Sequence, residues 1–258
     1  MPENAFIILG VSSGIPQPGY ACSGYTIKSG GELSLVDCGG GVSSSFLRRG
    51  LDPLAVKRIF ISHTHPDHVS DLPLFIQMIY LYGRKEPLDV YLPEEFVQPF
   101  KIYLNAVYLL TEKLPFKLNL YGYQDGFIFR DRFTLKAIGN RHLSGYAPFL
   151  ERLNLSNRMQ CHSFALELAG KSLLYSADIY DLDDIKEYFD GHDYVVIEPT
   201  HLDFEQFLKF IREVKVGQYI ITHLGRPEEI AALARQVAAA GVENLVMAKE
   251  GMEIDFSQ

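Results

Sequence analysis

The chain has 258 residues, 47% hydrophobic and 22% charged, which matches an ordinary globular protein and excludes a disordered one. Its 24 Lys and Arg against 32 Asp and Glu give a net charge of −8, a sign that weighs against a protein built to hold nucleic acid by phosphate attraction. Three cysteines, Cys22, Cys38 and Cys161, have no C-x-x-C spacing and read as buried thiols; with neither an apolar span of about 20 residues nor a signal-peptide pattern, the expected location is the cytoplasm.

Strand-like and helix-like runs alternate along the chain. Phe6–Leu9 is a short apolar run that ends at Gly10, and Glu32–Asp37 alternates like a half-buried strand that stops at Gly39-Gly40-Gly41. Ser43–Arg49 is a short helix with serines placed to cap it. Lys57–Ser62 is a buried strand that leads into a histidine-rich segment. Val69–Tyr82 reads as an apolar helix broken or started by Pro73, and Glu94–Leu110 as a second helix. Three strand-like runs fall within 116–138, a loop covers 141–160, and His162–Leu168 with Ser172–Ser176 forms a hairpin. Tyr194–Ile197 and Tyr219–Thr222 are short buried strands. Helices are expected at 204–214 and 227–240, and closing strands near 244–248 and 252–256. No low-complexity linker interrupts the pattern, so residues 1–258 are expected to form one domain. Two sheets packed together under outer helices fit this order.

The chemistry sits in His63-Thr64-His65-Pro66-Asp67-His68, directly after a buried strand. His63 and His65 project to one side while the segment is extended, and Asp67 and His68 follow where it turns toward a helix. Imidazole and carboxylate in such a turn suit zinc or a similar divalent ion.

This segment resembles the signature of the metallo-β-lactamase superfamily, and the resemblance extends along most of the chain. It implies a four-layer αββα sandwich of two mixed β-sheets with helices on the outer faces. It also implies further ligands at the ends of later strands: His142, Asp178 in Ser176-Ala177-Asp178, and His223 in Thr222-His223. By position, His63, His65 and His142 would hold one metal, Asp67, His68 and His223 the other, and Asp178 would bridge them. Asp37 would orient a ligand histidine. The implied cofactors are two divalent ions, zinc or alternatively manganese or iron, which share a bridging hydroxide as nucleophile.

His65 stands where the oxygen-reducing diiron branch carries glutamate, and Asp178 where true β-lactamases carry cysteine, so hydrolysis of something other than an antibiotic is expected. Gly10-Val11-Ser12-Ser13-Gly14-Ile15-Pro16 and Arg141-His142-Leu143-Ser144-Gly145-Tyr146 look like segments of ribonuclease Z and related phosphodiesterases. Two features depart from ribonuclease Z. Its long tRNA-binding arm has no room between His142 and Asp178, and its histidine before a Glu-Ala-Thr triplet is replaced by Ile197 in Ile197-Glu198-Pro199-Thr200. The expected substrate is therefore a small or nucleotide-like phosphodiester. Ribonuclease Z-type tRNA processing and a thioesterase of the glyoxalase II type are the alternatives. Asp67 and His201 are the candidate catalytic residues, His201 as a general acid. Arg141, Tyr146 and Arg226 are candidate substrate-binding residues, with Arg152 and Arg158 in the same loop as Arg141. Dense aromatics from Tyr80 to Tyr123 imply core packing, a lid or a subunit interface, with an insertion expected at 84–123. A homodimer is the default assembly, and no membrane partner is expected.

Overall fold

A computed structural model describes residues 2–257, so the first and last residues of the expected 1–258 domain lie outside the described residues. The chain divides into two compact units, Met1–Gln124 with Glu250–Gln258, and Asp125–Lys249. No helix among the described residues is long and apolar enough to cross a membrane.

The first unit opens with β1 (Asn4–Gly10), β2 (Gly24–Ser29) and β3 (Glu32–Cys38), joined antiparallel. Helix α1 (Val42–Arg48), strand β4 (Val56–Phe60), the single turn α2 (Pro66–Val69) and helix α3 (Leu72–Leu81) follow. Strand β5 (Leu88–Pro93), helix α4 (Val97–Ala106) and strand β6 (Leu118–Tyr123) complete it, and β3 to β6 pair in parallel. The alternation of the strands sorts the side chains. Ile7, Leu35, Ile59 and Val90 lie in one buried cluster with Phe46 of α1, Phe75 and Ile79 of α3, and Phe100 of α4. Each such side chain contributes about 1.5–3 kcal/mol when fully buried. Their strand neighbours face the other way and stack in rows, Phe6 on Tyr25 at 5.3 Å and Phe60 on Tyr91 at 4.7 Å, with Tyr121 beyond. Residues 88–93 and 118–123, inside the segment expected as an insertion, are integral strands of this sheet.

The serines of α1 do not cap it. Gly41 holds the N-cap position in the left-handed region, and the Ser43 amide donates to Asp71 at 2.6 Å instead. The carboxylate reaches across from the start of α3, a contact no local pattern encodes. Pro73 lies in the first turn of α3, so it starts the helix.

The second unit runs β7 (Ile128–Arg130), β8 (Thr134–Gly139), α5 (Ala147–Leu153), β9 (His162–Leu168), β10 (Lys171–Tyr175), β11 (Tyr194–Ile197), α6 (Phe204–Phe210), β12 (Gln218–Ile221), α7 (Pro227–Ala239) and β13 (Leu245–Met247). Its sheet is antiparallel from β7 to β10 and parallel from β10 to β13. The expected β9–β10 hairpin forms around Ala169 and Gly170, both at positive φ. The stretch 141–160 is not a continuous loop. A 3-10 turn at His142–Tyr146 leads directly into α5, whose first turn accepts Pro148. The chain then returns to the first unit with β14 (Glu253–Asp255) beside β1, so each sheet has seven strands among the described residues.

Candidate metal centre

In the first unit the histidine-rich segment follows β4. His65 is the N-cap of α2 and Pro66 its first residue, which forces the turn between the two candidate ligand pairs. Gly39 makes the turn possible, because a Cβ there would stand 1.8 Å from the Asp67 carbonyl oxygen. His63 and His65 each present a ring nitrogen within 4.8 Å of the other's, and Asp67 and His68 present ligand atoms within the same distance. Asp67 Oδ2 lies 3.7 Å from His68 Nε2.

Asp37 organises these imidazoles from below. It is fully buried at the end of β3, at φ 57. Its carboxylate accepts the Ser62 amide at 2.7 Å, the Ser62 hydroxyl at 2.9 Å and His68 Nδ1–H at 2.8 Å. With its hydroxyl proton committed to Asp37, Ser62 Oγ accepts from His63 Nδ1 at 3.1 Å. Both rings are thereby assigned the tautomer protonated at Nδ1, which keeps the Nε2 lone pair for a metal.

In the second unit β8 and β10 both run antiparallel to β9, so β8, β10, β11 and β12 share one direction. Their carboxyl ends carry His142, Asp178, Glu198 and His223. In open α/β sheets this is the end where ligands bind. One oxygen of Asp178 lies 3.6 Å from His142 Nε2 and 3.4 Å from His223 Nε2. An ion holding ligands at about 2.1 Å in a tetrahedron sets them about 3.4 Å apart, so the donor set and its spacing suit divalent metal. Ala177 and His223 adopt φ 47 and φ 56, left-handed backbone that aims the two candidate ligands and costs about 1–2 kcal/mol at a residue with a Cβ. Thr200 Oγ1 donates to the His223 carbonyl at 3.3 Å and holds that turn.

His201 joins this cluster. Its Nδ1 lies 2.7 Å from Glu198 Oε1, and its ring packs edge-on to His142 with centroids 4.8 Å apart. Glu198 is buried and also accepts the amides of Thr200 and His201. Neither Glu198 nor Asn140 stood out as a site residue in the sequence; Asn140 donates to the Asp178 carbonyl and accepts from the His142 amide.

Among the candidate substrate residues the two arginines are already paired. Arg141 is exposed, and its guanidinium pairs with Asp184 at 2.5 Å and Asp181 at 2.7 Å, stacked over Tyr180. Arg226 is the exposed N-cap of α7 and pairs with Glu229 at 3.6 Å. Tyr146 is half exposed before α5. His162 opens β9, and His192 lies in the turn before β11. Burial raises the thiols of Cys22 and Cys38, so neither supplies a thiolate.

The family described as Anti-Pycsar protein Apyc1 matches residues 5–215. Ribonuclease Z of Pyrococcus abyssi is 28% identical over 232 residues, 77% of this chain and 75% of that protein. The protein of that name in Methanococcus maripaludis strain C5 is 34% identical over 113 residues, 44% of this chain and only 35% of its own length. Among solved structures, the metallo-β-lactamase fold protein YhfI of Bacillus subtilis superposes with a TM-score of 0.77 at 20% identity, over 98% of this chain and 99% of that one. The short form of human tRNase Z gives 0.71 at 18% identity, over 98% and 100%. The expected fold is therefore found, and the chain belongs to the family described as Anti-Pycsar protein Apyc1, as a metal-dependent hydrolase of the metallo-β-lactamase superfamily, similar to ribonuclease Z.

Proposed function

We propose that the two units act as one catalytic domain, a dinuclear phosphodiesterase for a small or nucleotide-like phosphodiester. In this reading His63, His65 and His142 hold one ion, Asp67, His68 and His223 the other, and Asp178 serves both. The observation that carries it is the single Asp178 oxygen 3.6 and 3.4 Å from two different imidazoles. Two bound ions, zinc first and manganese or iron as substitutes, would supply Lewis acidity at the phosphoryl oxygens and lower the pKa of water to about 7.

The chain's own residues do the rest. Asp37 keeps His68 and, through Ser62, His63 in the tautomer that offers Nε2. Asp67 acts as a ligand and as a polar catalytic group beside the attacking water. With His201 doubly protonated, Glu198 holds Nδ1–H at 2.7 Å and Nε2–H would give its proton to the leaving oxygen as the P–O bond breaks, leaving the neutral ring protonated at Nδ1. Tyr146, Arg141 and Arg226 form the outer substrate rim, the two arginines as already paired groups rather than bare phosphate ligands. A cytoplasmic homodimer is the proposed form, supported by exposed apolar residues of α3 and α4 such as Leu81 and Ile102.

The second reading, tRNA 3′-end processing, is favoured by the relatives named Ribonuclease Z. Against it, the chain between His142 and Asp178 is occupied by a 3-10 turn, α5 and the β9–β10 hairpin, and the net charge is −8. The test offers metal-loaded protein a pre-tRNA with a 3′ trailer, small diesters including cyclic phosphates, and S-lactoylglutathione, with His63→Ala as the blank. Turnover of small diesters without trailer cleavage is expected. Trailer cleavage would establish the second reading, and thioester turnover alone would overturn both.

A further inference from the structure

We propose that Asn140 is the positioning residue that fixes Asp178 relative to His142, and thereby sets how tightly the chain holds its metal ions. The inference rests on the ligand assignment proposed above.

Asn140 follows the last residue of β8, and its own amide is tied to the Cys161 carbonyl before β9 at 3.0 Å. From there one short side chain meets three partners. Nδ2 donates to the Asp178 carbonyl at 3.0 Å and to Ser163 Oγ at 3.1 Å, and Oδ1 accepts the His142 amide at 3.1 Å. Ser163 Oγ in turn donates to the Ser176 carbonyl at 2.6 Å. A single carboxamide thus joins the ends of β8, β9 and β10.

The work requires a group that donates twice and accepts once within one side-chain length. A carboxylate has no donor, and a hydroxyl has only one. The need arises from the chain around Asp178. Ala177 is held at φ 47, and that turn aims the Asp178 carboxylate at the imidazoles. The Asp178 carbonyl is gripped by Asn140 from β8 and by the Cys161 thiol at 3.5 Å. Without the amide the strained turn is free to relax, and the carboxylate leaves its place beside His142. Because Asn140 also holds the His142 amide, one substitution loosens both ligands together.

The test titrates zinc into metal-stripped protein carrying Asn140→Ala, Asn140→Asp or Ser163→Ala, with wild type and Asp178→Ala as references. Thermal melts of the stripped proteins are recorded alongside. Outer residues that orient metal ligands change affinity by about 10–100-fold when removed. Both Asn140 variants are expected to lose affinity in that range. Asn140→Asp should lose at least as much as Asn140→Ala, since a carboxylate would face the Asp178 carbonyl. Ser163→Ala should lose less, because Asn140 retains two of its three bonds. If an Asn140 variant fails to fold, the decision passes to Ser163→Ala: weakened binding supports the inference and wild-type affinity overturns it. Wild-type affinity in a folded Asn140→Asp, with Asp178→Ala defective, overturns the inference and leaves the ligand assignment standing. Lower melting temperatures with unchanged affinity would make Asn140 a folding residue only. Two tightly bound ions in Asp178→Ala would remove the ligand assignment itself.

Discussion

Replacing Asp37 separates folding from metal binding. In Asp37→Ala three buried donors, the Ser62 amide, the Ser62 hydroxyl and His68 Nδ1–H, lose their acceptor. Each orphaned group costs about 1–3 kcal/mol, so the loss is at least about 3 kcal/mol. For a chain of this size 1 kcal/mol corresponds to about 2–4 °C, which gives a fall of roughly 6–12 °C in the melting temperature of the stripped protein. Asp37→Asn should behave differently. Its oxygen can still accept the Ser62 amide, and asparagine tolerates the left-handed backbone at φ 57. Its NH2, however, would replace Oδ2 and face both Ser62 Oγ, whose proton can turn to His63 Nδ1, and His68 Nδ1, where a stable contact requires the ring to move its proton to Nε2. That tautomer has no lone pair at Nε2. The asparagine variant is therefore expected to melt within a few degrees of wild type yet bind zinc about 10–100-fold more weakly. Melts and zinc titrations on the same preparations read both effects. Wild-type zinc affinity in Asp37→Asn would refute the tautomer argument, and an unchanged melting temperature in Asp37→Ala would refute the burial argument.

Other outcomes follow from single groups. His201→Ala should lower kcat by about 10²–10⁴-fold for a diester with an alkoxide leaving group. It should matter much less for bis(p-nitrophenyl) phosphate, whose leaving group needs no proton; equal losses on both substrates would exclude a general-acid role. Tyr219 is fully buried with no partner for its hydroxyl, and burial pushes its pKa up to about 12. Tyr219→Phe should match or exceed wild-type stability by about 1 kcal/mol. It should also soften the loss of stability above pH 10, where the unfolded tyrosine ionises first; a clear destabilisation measured by urea unfolding would contradict this. Burial lowers the pKa of His192 below its usual value near 6.5, so the unfolded chain binds the extra proton and stability falls as pH drops below about 6.5. His192→Asn should flatten that slope between about pH 6.5 and 5 in denaturant titrations, and an unchanged slope would assign it to other groups.

The parts of the fold and site that were legible in the sequence are those with local signals. Lys57–Ser62 is apolar and β-branched enough to mark β4, and the candidate ligands behind it are four close in sequence. Strand β2 carries a glycine, a lysine and a serine in six residues, so its pairing with β1 and β3 decides it rather than its pattern. Strand β5 ends in a proline, and α5 begins beside Gly145 and Pro148, where turn signals mask the helix. The same rule divides the site. His63 and His65 declare themselves by spacing, whereas Asn140 bonds to Asp178 and Ser163 and Glu198 to His201, contacts that arise only when strand ends meet. The arginine readings show the converse. Arg141 and Arg226 are expected from sequence as anion binders, and the fold adds what the sequence does not show, their pairing with Asp184, Asp181 and Glu229.

The most direct measurement of the central claim is turnover of bis(p-nitrophenyl) phosphate by wild-type protein before chelation, after chelation, and after return of zinc or manganese, with His63→Ala in parallel. Activity that disappears with the metal, returns with about two ions per chain and is absent from His63→Ala is expected of a dinuclear metal-dependent phosphodiesterase. Turnover that survives metal removal, or that His63→Ala retains, would contradict it.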